Sequence, residues 1–405
     1  MKRLIIIAKL VFLCAVLVHA QKIENLALTP PMGWNSWNCL RTSITEEKIK
    51  SIADAMVSTG MKDAGYEYIV IDDGWMTGER DQDGHIVVDS LKFPNGMKAL
   101  ADYIHSLGLK FGIYSSPGCY TCQKLMGSLG HEQIDANDYA EWGVDFLKYD
   151  WCKYPNTMQE AKLTSQTDCR GAFELMRDCL YKTGRPIVLS INERCAGFSK
   201  DRSDWVRSVA NMHRTSEDIK DNWEQMLHCL ETTADLWEIA GPGYWNDPDM
   251  LEVGNTVSEK LYGGISDKKM NLPEYQTHFS MWCMVAAPLI AGNDLRYMSD
   301  EIIQILTNKE VIAINQDPLG KQGRRIRDDG DLEVWCKKLS GNRKAVALLN
   351  RSSEPADMEV SWDELGLKGK LKVRDLWKHQ DLGEFKDSFK GEGILPHEAL
   401  VLLIE

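Results

Sequence analysis

The chain has 405 residues, 43% apolar and 26% charged, a balance that excludes a disordered, collagen-like or polytopic membrane protein. Acidic residues outnumber basic ones 60 to 47, giving a formal charge of −13, and there are no Lys/Arg runs. Such a chain lacks the footprint of a nucleic-acid binder and is repelled by anionic lipid, so a neutral or cationic ligand is expected.

Residues 1–20 start with Lys2, Arg3 and Lys9 around an apolar run, Leu10–Val18, and end in Val18-His19-Ala20. That pattern reads as a secretory signal peptide, too short to span a bilayer. No later run reaches the ~18 apolar residues of a spanning helix, so export to periplasm or medium without membrane insertion is expected. Export implies that some of the 11 cysteines pair. Cys119-Tyr120-Thr121-Cys122 has C-x-x-C spacing but no second pair or His partner for a zinc site, and spacing leaves the connectivity open.

A helical stripe follows at Ile49, Ile52, Ala53, Met56 and Val57, with Ser43 and Glu46 as a capping box and Gly60 near its end. Tyr68-Ile69-Val70-Ile71 is a short strand ending in Asp72-Asp73. Met97, Leu100, Ala101 and Ile104 repeat the stripe, Gly108 closes it, and Lys110–Tyr114 follows as a strand. The pattern recurs before Val144–Tyr149 and before Pro186–Ser190. Repeated helix–Gly–strand units imply a parallel sheet. Eight such units need about 300 residues, and the rhythm runs from about residue 25 to about 320, a length that fits a (β/α)₈ TIM barrel. No G-x-G-x-x-G or P-loop supports a doubly wound nucleotide fold. From Gly323 the runs Leu332–Cys336, Ala345–Leu349, Leu371–Leu376 and Ala399–Ile404 have no long amphipathic helix between them. The fold expected is α/β: a catalytic barrel over 21–322, then an antiparallel β-sandwich over 323–405.

Catalytic groups of a barrel come from the carboxyl ends of its strands, and here those ends carry acids. Asp72-Asp73 ends the second strand, Asp150 the fourth, Asn192-Glu193 the fifth, and Asp247-Pro248-Asp249 lies where a seventh should end. Lys148 and Asp150, two apart in a strand, face one side. Carboxylates, a lysine and tryptophans at one mouth suit a neutral polyol, since carboxylates accept hydroxyl hydrogen bonds and indoles cover the C–H face of a sugar. Each of Trp34, Trp37, Trp75 and Trp245 serves equally as core or as sugar platform. The nine His show no H-E-x-x-H and no cluster, so no metal is expected, and no G-x-S-x-G marks a serine hydrolase.

Five segments carry a resemblance: Thr29-Pro30-Pro31-Met32-Gly33-Trp34-Asn35-Ser36-Trp37, Ile71–Trp75, Lys148-Tyr149-Asp150, Gly241–Met250 and Ala313–Gly320. In this order they resemble the signatures of the α-galactosidase/α-N-acetylgalactosaminidase family of retaining glycoside hydrolases. The resemblance implies a barrel plus sandwich and an α-galactoside substrate, with no cofactor. It implies Asp150 as nucleophile and, from Arg214-Thr215-Ser216-Glu217-Asp218-Ile219-Lys220-Asp221-Asn222-Trp223, Asp218 as acid/base. It further implies Trp37, Asp72, Asp73, Tyr114, Lys148, Glu193, Arg214 and Asp249 around the sugar, and a Cys122–Cys152 disulfide. Asn192 and Arg194 depart from the plant-type pattern, which has Cys and Trp there. Glu193 argues against an N-acetylgalactosaminidase, and Asp72, where β-L-arabinopyranosidases carry a bulkier Glu, argues for a galactose with its C6 hydroxymethyl. A sugar-binding relative without activity would be expected to lack one of the two aspartates. Lys148 near Asp150 is expected to favour the Asp150 anion.

Overall fold

The computed structural model describes residues 22–152, 165–192, 203–255 and 269–405. Residues 1–20, read above as a leader, lie outside that description.

Eight parallel strands follow one another around a barrel in chain order: β1 (Met32–Asn35), β2 (Tyr68–Val70), β5 (Lys110–Ser115), β6 (Phe146–Asp150), β7 (Val188–Asn192), β8 (Met212–Arg214), β9 (Trp245–Asp247) and β10 (Leu289–Ala291). β10 pairs with β1, and Leu251, just past β9, bridges to Ala291 to complete the ring. The short hairpin β3 (Met76–Arg80) and β4 (Ile86–Val88) interrupts the loop after β2. All eight units of the rhythm are therefore filled.

Strand alternation sorts the side chains. Ile69, Ile71, Phe111, Ile113, Leu147, Tyr149, Leu189 and Ile191 face the surrounding helices and join the main core. Their neighbours Tyr68, Val70, Phe146, Val188, Met212 and Trp245 form a separate cluster along the barrel axis. Because both faces are buried, the strands read as near-continuous apolar runs. The axis is crowded: a Cβ on Gly112 would lie 2.7 Å from Val70 Cγ2. Continuing by twos up the inward face, apolar residues give way to charge: Val70 to Asp72, Phe146 to Lys148 and Asp150, Met212 to Arg214, Trp245 to Asp247 and Asp249. The strand period therefore delivers the acids to one end of the barrel.

The first long helix runs Glu46–Ser58, and its N-cap is Thr45, which accepts from the Lys48 amide at 3.3 Å, so the expected Ser43 box is replaced by a cap one residue before the helix. Ile49, Ile52, Ala53 and Met56 are buried, but Val57 is exposed and lies off the stripe. Of the four tryptophans named above, Trp34, Trp75 and Trp245 are fully buried, each indole N–H donating to a main-chain carbonyl. Only Trp37 faces the barrel mouth.

The C-terminal region has eight antiparallel strands: β11 (Arg324–Asp328), β12 (Leu332–Lys338), β13 (Lys344–Asn350), β14 (Ala356–Ser361), β15 (Lys370–Asp375), β16 (Gln380–Lys386), β17 (Ser388–Ile394) and β18 (Ala399–Ile404). Six form one sheet and β14–β17 a ribbon across it. Val334, Val346, Leu348, Leu402 and Ile404 pack towards the ribbon, whereas Trp335, Ala345, Ala347, Leu349 and Val401 join the barrel's own core. The sandwich is thus bonded to the barrel by apolar burial, chiefly against the helix Leu272–Met284.

Candidate active site

A pocket of about 580 Å³ opens at the carboxyl ends of the barrel strands, lined by Trp37, Asp72, Asp73, Tyr114, Lys148, Asp150, Arg214, Asp218 and Asp249 among others. Every residue assigned above to catalysis or sugar contact is on this wall except Glu193, which lies outside the described residues. Asn38, Arg41 and Met250 also line it. Asn38 and Arg41 come with the short helix Trp37–Leu40, and the Arg41 guanidinium sits over the Trp37 ring, 4.7 Å from its centroid. The spacing of Trp37 and Arg41, one helical turn, was the signal available in the sequence.

The floor is held by charge. Lys148 Nζ lies 2.6 Å from Asp72 Oδ2, which also accepts from Asn35 Nδ2 at 3.0 Å. Burial works against the Lys148 cation, but Asp72 and Asp150 outweigh it and raise its pKa. Asp73 Oδ2 accepts from the Gln123 amide at 2.9 Å, while its buried Oδ1 has no hydrogen-bond partner among the described residues. Burial, opposed by that amide and reinforced by Asp72, pushes Asp73 up to about 6. An unpaired acceptor beside the pocket suits a ligand hydroxyl.

Asp150 receives two hydrogen bonds, from its neighbour's Trp151 amide at 2.8 Å and from the Tyr114 hydroxyl at 3.1 Å. They fix both carboxyl oxygens. Desolvation raises its pKa and outweighs the pull of Lys148 in the other direction. The expected effect of Lys148 is present, but the net shift is upward because the residue ends a strand inside the barrel. Beside it, Cys122 and Cys152 form a disulfide with Cα atoms 4.9 Å apart. Cys122, Asp150 and Cys152 are also the one group with metal-ligand proximity among the described residues, but sulfurs bonded to each other offer no thiolate.

Asp218 stands apart from the floor, on the loop after β8, its side chain 62% exposed. Arg214 Nη2 reaches Asp218 Oδ1 at 2.9 Å and Asp249 Oδ2 at 3.0 Å. Burial would lower the Arg214 pKa, but Asp249, Asp218 and Asp247 raise it, so the guanidinium stays charged. Asp249 has φ of +85°, strained for a residue with a side chain. Its amide donates to Asp247 Oδ1 at 2.9 Å, its carbonyl accepts from Trp282 Nε1 at 2.8 Å, and Oδ2 also takes the Ile219 amide at 2.9 Å. Asp249 reaches the pocket wall with one oxygen committed to holding the Asp218 loop.

Below the floor, Asn192 and Asp247 line a second, narrower cavity on the barrel axis. Behind the wall, buried Glu252 accepts from Asn38 and, at 2.8 Å, from Asn255, and burial pushes it up to about 8 against those two bonds. No sequence pattern singled out this carboxyl.

Two family models match the chain: one described as alpha galactosidase A over residues 29–317, and one described as the alpha galactosidase C-terminal beta sandwich domain over 329–404. The chain is 45% identical to an α-galactosidase of Cyamopsis tetragonoloba over 359 residues, 88% of this chain and 81% of that one. It is 43% identical to α-galactosidase A of Cellvibrio japonicus over 391 residues, covering 94% and 90%. The crystal structure of α-galactosidase I from Mortierella vinacea superposes with a TM-score of 0.83 at 34% identity, over 94% of this chain and 98% of that one. With a barrel, a sandwich and a mouth lined by acids already in place, these matches make the chain a member of the melibiase family of α-galactosidases.

Proposed function

We propose that the protein is an exo-acting retaining α-galactosidase that removes terminal α-linked D-galactose from oligosaccharides, polysaccharides or glycoconjugates. The observation that carries this reading is one pocket holding a half-buried, doubly hydrogen-bonded carboxyl and an exposed one, Asp150 and Asp218, beside an Asp72–Lys148 pair. Asp150 attacks the anomeric carbon while Asp218 gives its proton to the leaving oxygen, forming a galactosyl-Asp150 ester. Water then enters, Asp218 takes its proton, and the ester breaks with a second inversion. Asp72, Asp73 and Lys148 hold the sugar hydroxyls, and Trp37 and Tyr114 shape its walls. Two carboxyl side chains and one water supply every proton and electron pair, so the cycle calls for no cofactor.

The shorter carboxylate of Asp72 leaves room for the C6 hydroxymethyl and favours galactose over β-L-arabinopyranose. Export is part of the same reading, supported by the basic-then-apolar residues 1–20 and by a disulfide of the kind that persists in oxidising compartments. Proton NMR of the first product tests the mechanism: α-galactose is expected before mutarotation, and β-galactose would discard retention.

A further inference from the structure

We propose that His397, on the turn between β17 and β18 of the sandwich, positions the acid/base Asp218 of the barrel, an inference that rests on the role given to Asp218 above. The loop carrying Asp218 is held at its start by Arg214 and Asp249. Its far end is anchored differently. Asp221 accepts from the Tyr275 hydroxyl at 2.7 Å and the Met270 amide at 3.2 Å, and Asn222 caps the next helix through the Gln225 amide at 3.1 Å. Trp223, which follows, is buried under the His397 imidazole, the two rings stacked 4.3 Å apart at 11°.

His397 is itself placed by the helix that holds Asp221. Glu274 Oε1 lies 2.5 Å from its Nδ1, and the adjacent residue Tyr275 bonds Asp221. His397 has φ of +62°, a conformation uncommon for a side chain of its size. Thr277 keeps it there, its hydroxyl donating to the His397 carbonyl at 2.7 Å and accepting from the Ala399 amide at 3.0 Å. One helix therefore grips the loop directly at Asp221 and indirectly at Trp223, through a residue supplied by the second domain. Plain interdomain packing would also produce a stack, but it makes a different prediction. Loss of packing lowers the melting temperature and leaves the folded enzyme's chemistry alone. Loss of positioning impairs proton delivery.

The variant His397→Asn keeps a donor and tolerates positive φ while removing the ring. Its kcat/KM, which reports glycosylation, should fall about 10-fold on raffinose, whose leaving group needs the proton. On 4-nitrophenyl α-galactoside, whose leaving group needs little, it should fall less than about 2-fold. His397→Phe, which returns a ring over Trp223 without its bond to Glu274, should recover part of the raffinose loss, to about the 3-fold expected when that bond alone is loosened. If His397→Asn does not fold, Glu274→Gln, which can keep the bond to the Asn271 amide while loosening the imidazole, should show the same split at about 3-fold. Equal losses on both substrates, or none, in a folded variant would overturn the proposal. Asp218→Ala is run alongside: absence of the leaving-group split there means that the acid/base assignment has failed, and its presence with an unchanged His397→Asn means that only the positioning role has.

Discussion

Asp72, Asp73 and Asp150 stand on strand ends and are held by the barrel itself, the first two almost wholly buried. Asp218 stands on a loop, largely exposed, and is held by side chains from β8, from Asp249 and, at the loop's far end, from the helix Leu272–Met284. The difference suits the two chemical roles proposed for Asp150 and Asp218. A nucleophile has to be at one place throughout, and a strand end with both oxygens hydrogen-bonded provides that. An acid that becomes a base has to exchange a proton with incoming water, which an exposed carboxyl can do.

The largest effect should come from breaking the floor. Asp150→Gly should lose about 10⁴-fold or more in kcat, as removal of a nucleophile does. Azide entering from the vacated face should restore part of it and yield β-galactosyl azide; an active variant without azide would remove Asp150 from its role. At the rim, Asp218→Ala should cost about 10²–10⁴-fold on raffinose and clearly less in kcat/KM on the aryl galactoside, with azide now giving the α-azide. Nearly unchanged rates on both substrates would point instead to Asp72 as the partner of Asp150.

A subtler change at the floor tests specificity. Asp72→Glu should move the ratio of aryl α-galactoside to aryl β-L-arabinopyranoside kcat/KM towards the pentoside by about 10–200-fold, the range that one methylene in a pocket commands. No movement of the ratio would mean that this side chain does not read C6.

The smallest effect concerns pH and stability. Asp73 and Asp247 at about 6 and Glu252 at about 8 are raised chiefly by burial. A raised folded-state pKa means that the folded protein keeps protons the unfolded chain has lost. Their stabilising contribution is therefore complete below about pH 4 and is lost as pH rises through 6 and then 8. Glu252→Gln should lose about 2 °C less in melting temperature between pH 6.5 and 8 than the unaltered protein. Parallel curves would show that Glu252 is already ionised in the folded state.

The barrel was legible wherever burial on both faces writes an apolar run into a strand, as at Tyr68–Val70 and Val188–Asn192. It was less legible at β8 and β10, where no glycine separates the preceding helix from the three-residue strand. In the sandwich, β11, β14, β16 and β17 went unread. Gln380–Lys386, for example, has no fully buried position, so its strand state comes from pairing with β15. The site followed the same division. Acids at strand ends could be located because the period of two carries them onto the inward face.

The sequence by itself determined the architecture and the group of acids at the barrel mouth, because strand periodicity and the order of residues along each strand are local properties. Only the tertiary structure decided how those acids differ. The upward shift of Asp150 despite Lys148, the commitment of one Asp249 oxygen to Arg214 and Ile219, the buried Glu252 behind Asn38, and the His397 ring on Trp223 all depend on groups distant in the chain. Desolvation and contact are set by what packs around a residue, and a linear sequence does not state that.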